Sequence, residues 1–535
     1  MKKMRKKLLA GLAATFALSL SMGFSACDLS ELLNSMNGGG SGNEQVTTDF
    51  KYELIGDSYA IAGRGTDDSG ILEFPSEFNG KPVTAITAEA FRGDNEIGII
   101  YVPDSITTIG EGAFYNCVNL EIATFGSGLE EIAKDAFKNC VFLGTVTFSG
   151  NLVTIGESAF QKCNKLKALD LPDTVTTIGD YAFYDCSWLK TVDFSTSLET
   201  IGDQAFANCT NLEAVVIPDG APTVIGSKAF TIVDDATGKL RMNISRIEFG
   251  DSVISVGANA FYGNSHVRKL VLGDSMQLLE AGSFNRCSRI FSITVGAKVP
   301  MCETKGSTTP FTGCDRVREI IDGSGTLRVG DSGFGGILAD VWSVKTPDQE
   351  SSISIDETSR LVYYMGGDPY TKTDGAVVIS SLLDELDEAK AVVIPETYLG
   401  KPVTSIATKA FYNDNGVKSF ETGNNCQYIG LSAFQNAYKI TTLKLGAGIK
   451  TIAAQAFMNT NSLAVVYFNC GTNLTSVGNK AFYKKRGANG VELAGVAYSS
   501  VYFKGTEAQW NTFKTTLTDT NNEDLFAKGV TLHLI

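Results

Sequence analysis

The sequence predicts an α/β repeat solenoid with a 23-residue period, built from short parallel strands and short helical turns and arranged in two modules. Two observations carry this prediction. An Ala-Phe pair returns at fixed spacing, so that Phe91, Phe114, Phe137, Phe160, Phe183 and Phe206 each fall 23 residues after the last. The surrounding residues also keep their character from copy to copy, reading roughly I-G-x-x-A-F-x-N-C-x-x-L-x-x-V-x-F. Such a period marks stacked units, none of which can bury its apolar face alone.

The phase persists through irregular copies. Phe230 follows at 24 residues, Phe261 at 31, Phe284 at 23 and Phe311, in a degenerate copy, at 27. The long step holds an insertion around Asp234 to Lys239. After a gap of 100 residues the pattern resumes at Phe411, Phe434, Phe457 and Phe482.

Each position has a physical reason. The V-x-F end alternates, which predicts a short strand with one face inward. Leu120, Leu143, Leu166, Leu189 and Leu212 lead into it from the inside. The Ile-Gly pair marks the opposite wall, where Gly110, Gly156, Gly179 and Gly202 suit a bend that a side chain would resist. Ala followed by Phe fits a short helical turn packed into the coil. Phe114, Phe137, Phe160, Phe183 and Phe206 then form an internal ladder.

Cysteine usage follows the same logic. Cys117, Cys140, Cys163, Cys186, Cys209, Cys287 and Cys314 all sit three residues after a repeat phenylalanine. One repeat position points one way in every coil, and inward-facing thiols pack as small hydrophobes. Disulfides between neighbouring coils are open to such spacing, although parallel side chains suit the bond poorly. Cys302, Cys426 and Cys470 lie off the ladder.

Composition narrows the function. The net charge is −14, and the first seven residues alone carry five basic groups. An acidic surface repels phosphate backbones, which argues against nucleic-acid partners. Two histidines, His266 and His533, leave little material for acid–base or metal chemistry. No G-x-S-x-G elbow, H-E-x-x-H or phosphate-binding loop appears. Asp384 to Glu388 is an acidic run that reads as a solvated face, with calcium binding as the alternative. No enzyme activity, cofactor or metal site is expected.

The N-terminus has the parts of a secretory signal: basic residues, an apolar run from Leu8 to Phe24, then small residues before Cys27. Phe24-Ser25-Ala26-Cys27 resembles a lipobox, departing from the usual leucine at Phe24. The resemblance implies lipidation of Cys27 with several acyl chains, since a single chain anchors only marginally. Gly38 to Gly42 has the composition of a flexible tether.

The repeats resemble the BspA-like leucine-rich-repeat family of bacterial surface proteins over residues 50–323 and 390–535. Gly80-Lys81-Pro82-Val83-Thr84-Ala85-Ile86 and Gly400-Lys401-Pro402-Val403-Thr404-Ser405-Ile406 look like the family's opening repeat, and Tyr502 to Trp510 like its closing segment. The organisation read from this is a signal peptide (1–26), a lipid-anchored flexible tether (27–49), a first repeat module (50–323), an inter-module segment partly of strand (324–390), and a second module with a C-terminal cap (391–535). The segment 324–390 reads either as a lead-in sheet or as a break.

The resemblance implies a non-catalytic surface protein: an adhesin, or an interaction module for an extracellular protein or glycan such as host matrix or another cell. The membrane would be touched only through the lipid anchor. An envelope scaffold and an accessory glycan-capture protein are the alternatives. The candidate ligand face is the outward side of the strand ladder, with Lys167, Asp170, Lys190, Asp193 and Glu213, then Lys444 and Tyr467.

Overall fold

Each copy closes one coil, and the coils stack through backbone hydrogen bonds. This is a computed structural model that describes residues 50–66, 70–232, 244–332, 334–339, 341–382, 390–484, 498–527 and 529–535. The signal segment, Cys27 and the tether, the insertion at Asp234 to Lys239 and the acidic run Asp384 to Glu388 lie outside them. The chain divides into two compact units, one ending at Leu212 and one beginning at Glu213.

The first unit opens with an antiparallel hairpin, Phe50–Ile55 against Ser58–Arg64. Ser58–Arg64 then pairs in parallel with Lys81–Ile86, which seeds one wall of the coil. That wall continues as two-residue parallel strands: Thr108–Ile109, Glu131–Ile132, Thr154–Ile155, Thr177–Ile178 and Thr200–Ile201. The V-x-F segments form the other wall, including Ile99–Val102 beside Ile122–Phe125 and Ala168–Asp170 beside Thr191–Asp193. Sequence reading anticipated this second ladder but not the sheet opposite it. Two residues per strand are too few to show alternation.

The Ala-Phe side is tighter than the short helical turn expected. Ala113 N–H donates to Gly110 O and Tyr115 N–H to Gly112 O, both within the coil. Between them, Phe114 N–H reaches Ala136 O and Asn116 N–H reaches Lys138 O on the next coil. A helix would direct all four donors along its own axis. Here two left-handed residues per coil, such as Ser158 (φ 55°) and Lys162 (φ 63°), turn every second donor outward. The segment therefore turns the chain and bonds the stack at once.

The glycines of the Ile-Gly pairs serve a different purpose from the bend expected. Gly110, Gly156, Gly179 and Gly202 do not have positive φ. A Cβ on Gly179 would lie 2.7 Å from Glu157 N, and one on Gly202 2.5 Å from Asp180 N. The absence of a side chain is what lets adjacent coils close to hydrogen-bonding distance.

The interior is a column of rings. Phe114 and Phe137 stack with centroids 5.0 Å apart and planes 6° apart, and Phe160 and Phe183 at 5.3 Å and 2°. These phenylalanines and Phe206 are buried. Cys117, Cys140, Cys163, Cys186 and Cys209 are free thiols, all buried.

The second unit repeats the plan. Ala214–Ile217, Arg246–Phe249, Lys269–Val271, Ser292–Val295 and Glu319–Asp322 form one parallel ladder. An antiparallel meander, Ile353–Asp356, Leu361–Tyr364 and Ala376–Ser381, follows. Its last strand pairs in parallel with Lys401–Ile406 and so leads into the later coils. The helix Glu507–Asp519 buries Trp510, Phe513 and Leu517 against the last coils, and a capping box between Thr506 and Gln509 starts it.

A buried polar joint ties the earlier coils of this unit to the later ones. The Arg316 guanidinium donates to Lys409 O at 3.1 Å, Ser380 Oγ at 2.9 Å and Tyr412 O at 3.1 Å. Burial draws its pKa down to about 10, which leaves it charged at neutral pH. Arg318 donates to Thr408 O at 3.3 Å and lies over the Trp342 ring. Lys409 Nζ returns to Asp315 at 2.7 Å.

Candidate binding surface

Parallel pairing holds the outward side chains of the V-x-F ladder in rows. In the first unit Ala168, Leu169 and Asp170 stand directly beside Thr191, Val192 and Asp193. Leu169 turns inward and is buried, so alternation sends Ala168 and Asp170 outward with Thr191 and Asp193. Lys167 and Lys190, just before the strands, are exposed as well. The register brings the Asp170 and Asp193 carboxylates abreast, an arrangement that like charges disfavour.

Sequence reasoning missed the exposed aromatic residues of this face. Trp188 is 46% exposed, and Lys165 places its ammonium 3.5 Å from the ring centroid. Trp188 lines an open groove of about 400 Å³ with Lys167, Ala168, Lys190, Thr191 and Asn211. Phe142 occupies the same repeat position as Trp188 two coils earlier and is 50% exposed. The signal was present in the sequence: two residues after the ladder cysteine, other coils carry Asn119, Lys165 or Asn211, while these two carry aromatics.

In the second unit the expected positions behave differently from one another. Glu213 is exposed just before Ala214–Ile217. Lys444 is exposed but pairs with Glu421 on the neighbouring strand at 3.2 Å. Tyr467 is half-buried because it stacks on Tyr502 at 4.2 Å, and Tyr502 stacks in turn on His533 at 4.3 Å. This aromatic column was also unforeseen, since the three residues fall in irregular copies.

Among the described residues, no group of three His, Cys, Asp or Glu side chains is placed to hold a metal ion, and no helix is long and apolar enough to cross a membrane. Residues 76–187, 131–237, 231–354 and 389–496 match the BspA type leucine rich repeat region, a six-copy family pattern. The chain belongs to the BspA-type leucine-rich-repeat family.

The BspA-type chain matches no curated protein. Among solved structures it is similar to a leucine-rich repeat protein from Bacteroides ovatus, with 18% identity, 92% of this chain and 100% of that one covered, and a TM-score of 0.40. A leucine rich repeat protein of T. pallidum shares 27% identity over 41% of this chain and 87% of its own, with a TM-score of 0.32. A leucine rich cell surface protein from Faecalibacterium prausnitzii shares 16% identity over 88% and 98%, with a TM-score of 0.28.

Proposed function

We propose that this BspA-type protein is a non-catalytic interaction protein of the bacterial cell surface, an adhesin or a protein- or glycan-binding module. On this reading it is exported and held to the membrane by lipidated Cys27. The observation that carries the proposal is the outer ladder face of the first unit. There Asp170 and Asp193 project from regular strands and Lys167 stands just before one, and no ion pair or hydrogen bond engages their side chains among the described residues. Side chains held in rows without contributing to the core are material for recognising a partner.

Immobilised matrix proteins, mucin and whole partner bacteria test the reading. The purified chain is expected to be retained on at least one of them. A variant carrying Asp170→Lys and Asp193→Lys is expected to be retained about tenfold less or weaker still. No retention on any of these surfaces would overturn the proposal. For the anchor, Cys27→Ala is expected to move the protein from the membrane fraction to the soluble one, and unchanged fractionation would overturn the lipid tether.

A further inference from the structure

The groove beside Trp188 has a chemistry that can be read wall by wall. Ala168 and Thr191, small side chains on adjacent strands, line it. Trp188 lines it as well, with Lys165 lying against the ring at 3.5 Å from the centroid. Lys167 and Lys190 line the same groove. Asp170 and Asp193 follow two residues along the same strands on the same outward side, abreast of one another. Among the described residues neither carboxylate has an ion-pair or hydrogen-bond partner. The fold gains nothing from holding them together, because like charges in register repel.

We propose that this groove binds a neutral glycan chain, with Trp188 as the stacking wall and Asp170 and Asp193 accepting hydrogen bonds from sugar hydroxyls. The inference rests on the outer ladder face being the binding surface and names the ligand class for it. Charge decides among occupants. Three ammonium groups and two carboxylates nearly cancel, so neither a polyanion nor a polycation is matched. A sulfated glycan or a phosphate chain meets the paired carboxylates, and a basic peptide meets the lysines. A sugar chain offers hydroxyl hydrogens to Asp170 and Asp193 just beyond the groove, oxygen lone pairs to Lys167, and a C–H face to the indole. Phe142 does not line the groove; it lies two coils from Trp188, about 10 Å along the ladder at ordinary strand spacing, with Lys165 at the same repeat position between the two rings.

The test titrates the full chain with cellohexaose, xylohexaose, mannohexaose and laminarihexaose, followed by calorimetry. A heparin hexasaccharide and hexalysine serve as charged probes. Saturable binding of at least one neutral hexasaccharide is expected. Trp188→Ala, and separately Asp170→Asn with Asp193→Asn, should weaken it about tenfold or more. Met301→Ala, an exposed side chain of the second unit outside the candidate face, should leave it unchanged. All these side chains are at least partly exposed, and circular dichroism checks that the coils remain folded. Absence of binding to every neutral hexasaccharide, tighter binding of either charged probe, or full affinity in Trp188→Ala would overturn the assignment. If no oligosaccharide binds while retention on protein surfaces still depends on Asp170 and Asp193, the glycan assignment alone fails. Loss of both would remove the ladder reading with it.

Discussion

The Cys163 thiol donates a hydrogen bond to the carbonyl oxygen of Phe137, one coil earlier, at 3.3 Å. The same bond joins Cys117 to Phe91, Cys140 to Phe114, Cys186 to Phe160 and Cys209 to Phe183 in the first unit. In the second unit Cys287 and Cys314 make it to Phe261 and Phe284. Where the position holds Asn264, the amide makes the equivalent bond to Phe230 O at 3.0 Å. The site calls for a small, largely apolar side chain: the carbonyl already accepts a backbone N–H, as Phe137 O does from Cys140 at 3.1 Å, and the thiol adds a second hydrogen bond to it. Cysteine meets that need without cross-linking.

The first prediction concerns thiol chemistry. Burial pushes the thiols of Cys140, Cys163, Cys186, Cys209, Cys287 and Cys314 above their usual range. It pushes those of Cys302, Cys426 and Cys470 up to about 12. The thiolate is the reactive form, so the native chain should react slowly with a disulfide reagent at pH 8. Unfolded without reductant, it should expose all ten cysteines of the described residues as free thiols. A count lower by two or more would mean that coils are cross-linked.

The same shifts set a pH dependence. The folded pKa values lie above the ordinary 9.0, so the folded state holds protons that the unfolded state releases. The stabilisation is complete below pH 9 and is lost as pH rises from 9 toward 12. Melting temperature should therefore fall between about pH 8.5 and 10.5, and less steeply in a variant with Cys426 and Cys470 replaced by alanine. Equal slopes for both proteins would exclude Cys426 and Cys470 as a cause.

Phe160→Ala removes a ring stacked on both neighbours, Phe137 at 5.1 Å and Phe183 at 5.3 Å. It should cost about 3–5 kcal/mol in urea unfolding. Phe142→Ala, at an exposed ring, should change stability by about 0.5 kcal/mol or less. Comparable losses from both would contradict the inside–outside assignment.

Gly179→Ala places a methyl group 2.7 Å from backbone that cannot move aside. A loss of about 1–3 kcal/mol is expected from the forced separation of two coils. Gly144→Ala meets nothing closer than 3.5 Å and should be tolerated. Denaturation midpoints of the pair distinguish close approach from backbone flexibility as the reason for the Ile-Gly glycine.

Arg316→Met should destabilise the second unit by about 3 kcal/mol, because buried Ser380 Oγ and two part-buried carbonyls lose their donor. Hydrogen exchange should then rise at Thr408 to Tyr412 more than in coils distant from the joint. Unchanged protection there would show that the joint does not couple those coils.

The sequence by itself determined the period, the family and most of the interior. Stacking copies related by near-translation repeat every inward position, so Phe160 and Cys163 could be placed from spacing alone. It also marked the strands carrying Asp170 and Asp193. Only the tertiary structure decided which exposed side chains meet. Lys165 against Trp188 and the column Tyr467–Tyr502–His533 depend on neighbours that the period does not constrain, because outward positions vary freely between copies. It also decided that Arg316 reaches Lys409 and Tyr412, more than 90 residues on, and that Gly179 is required by the adjacent coil. Periodicity records the contact each coil repeats with the next. Contacts made once, by one side chain across a long stretch of chain, leave no period to read.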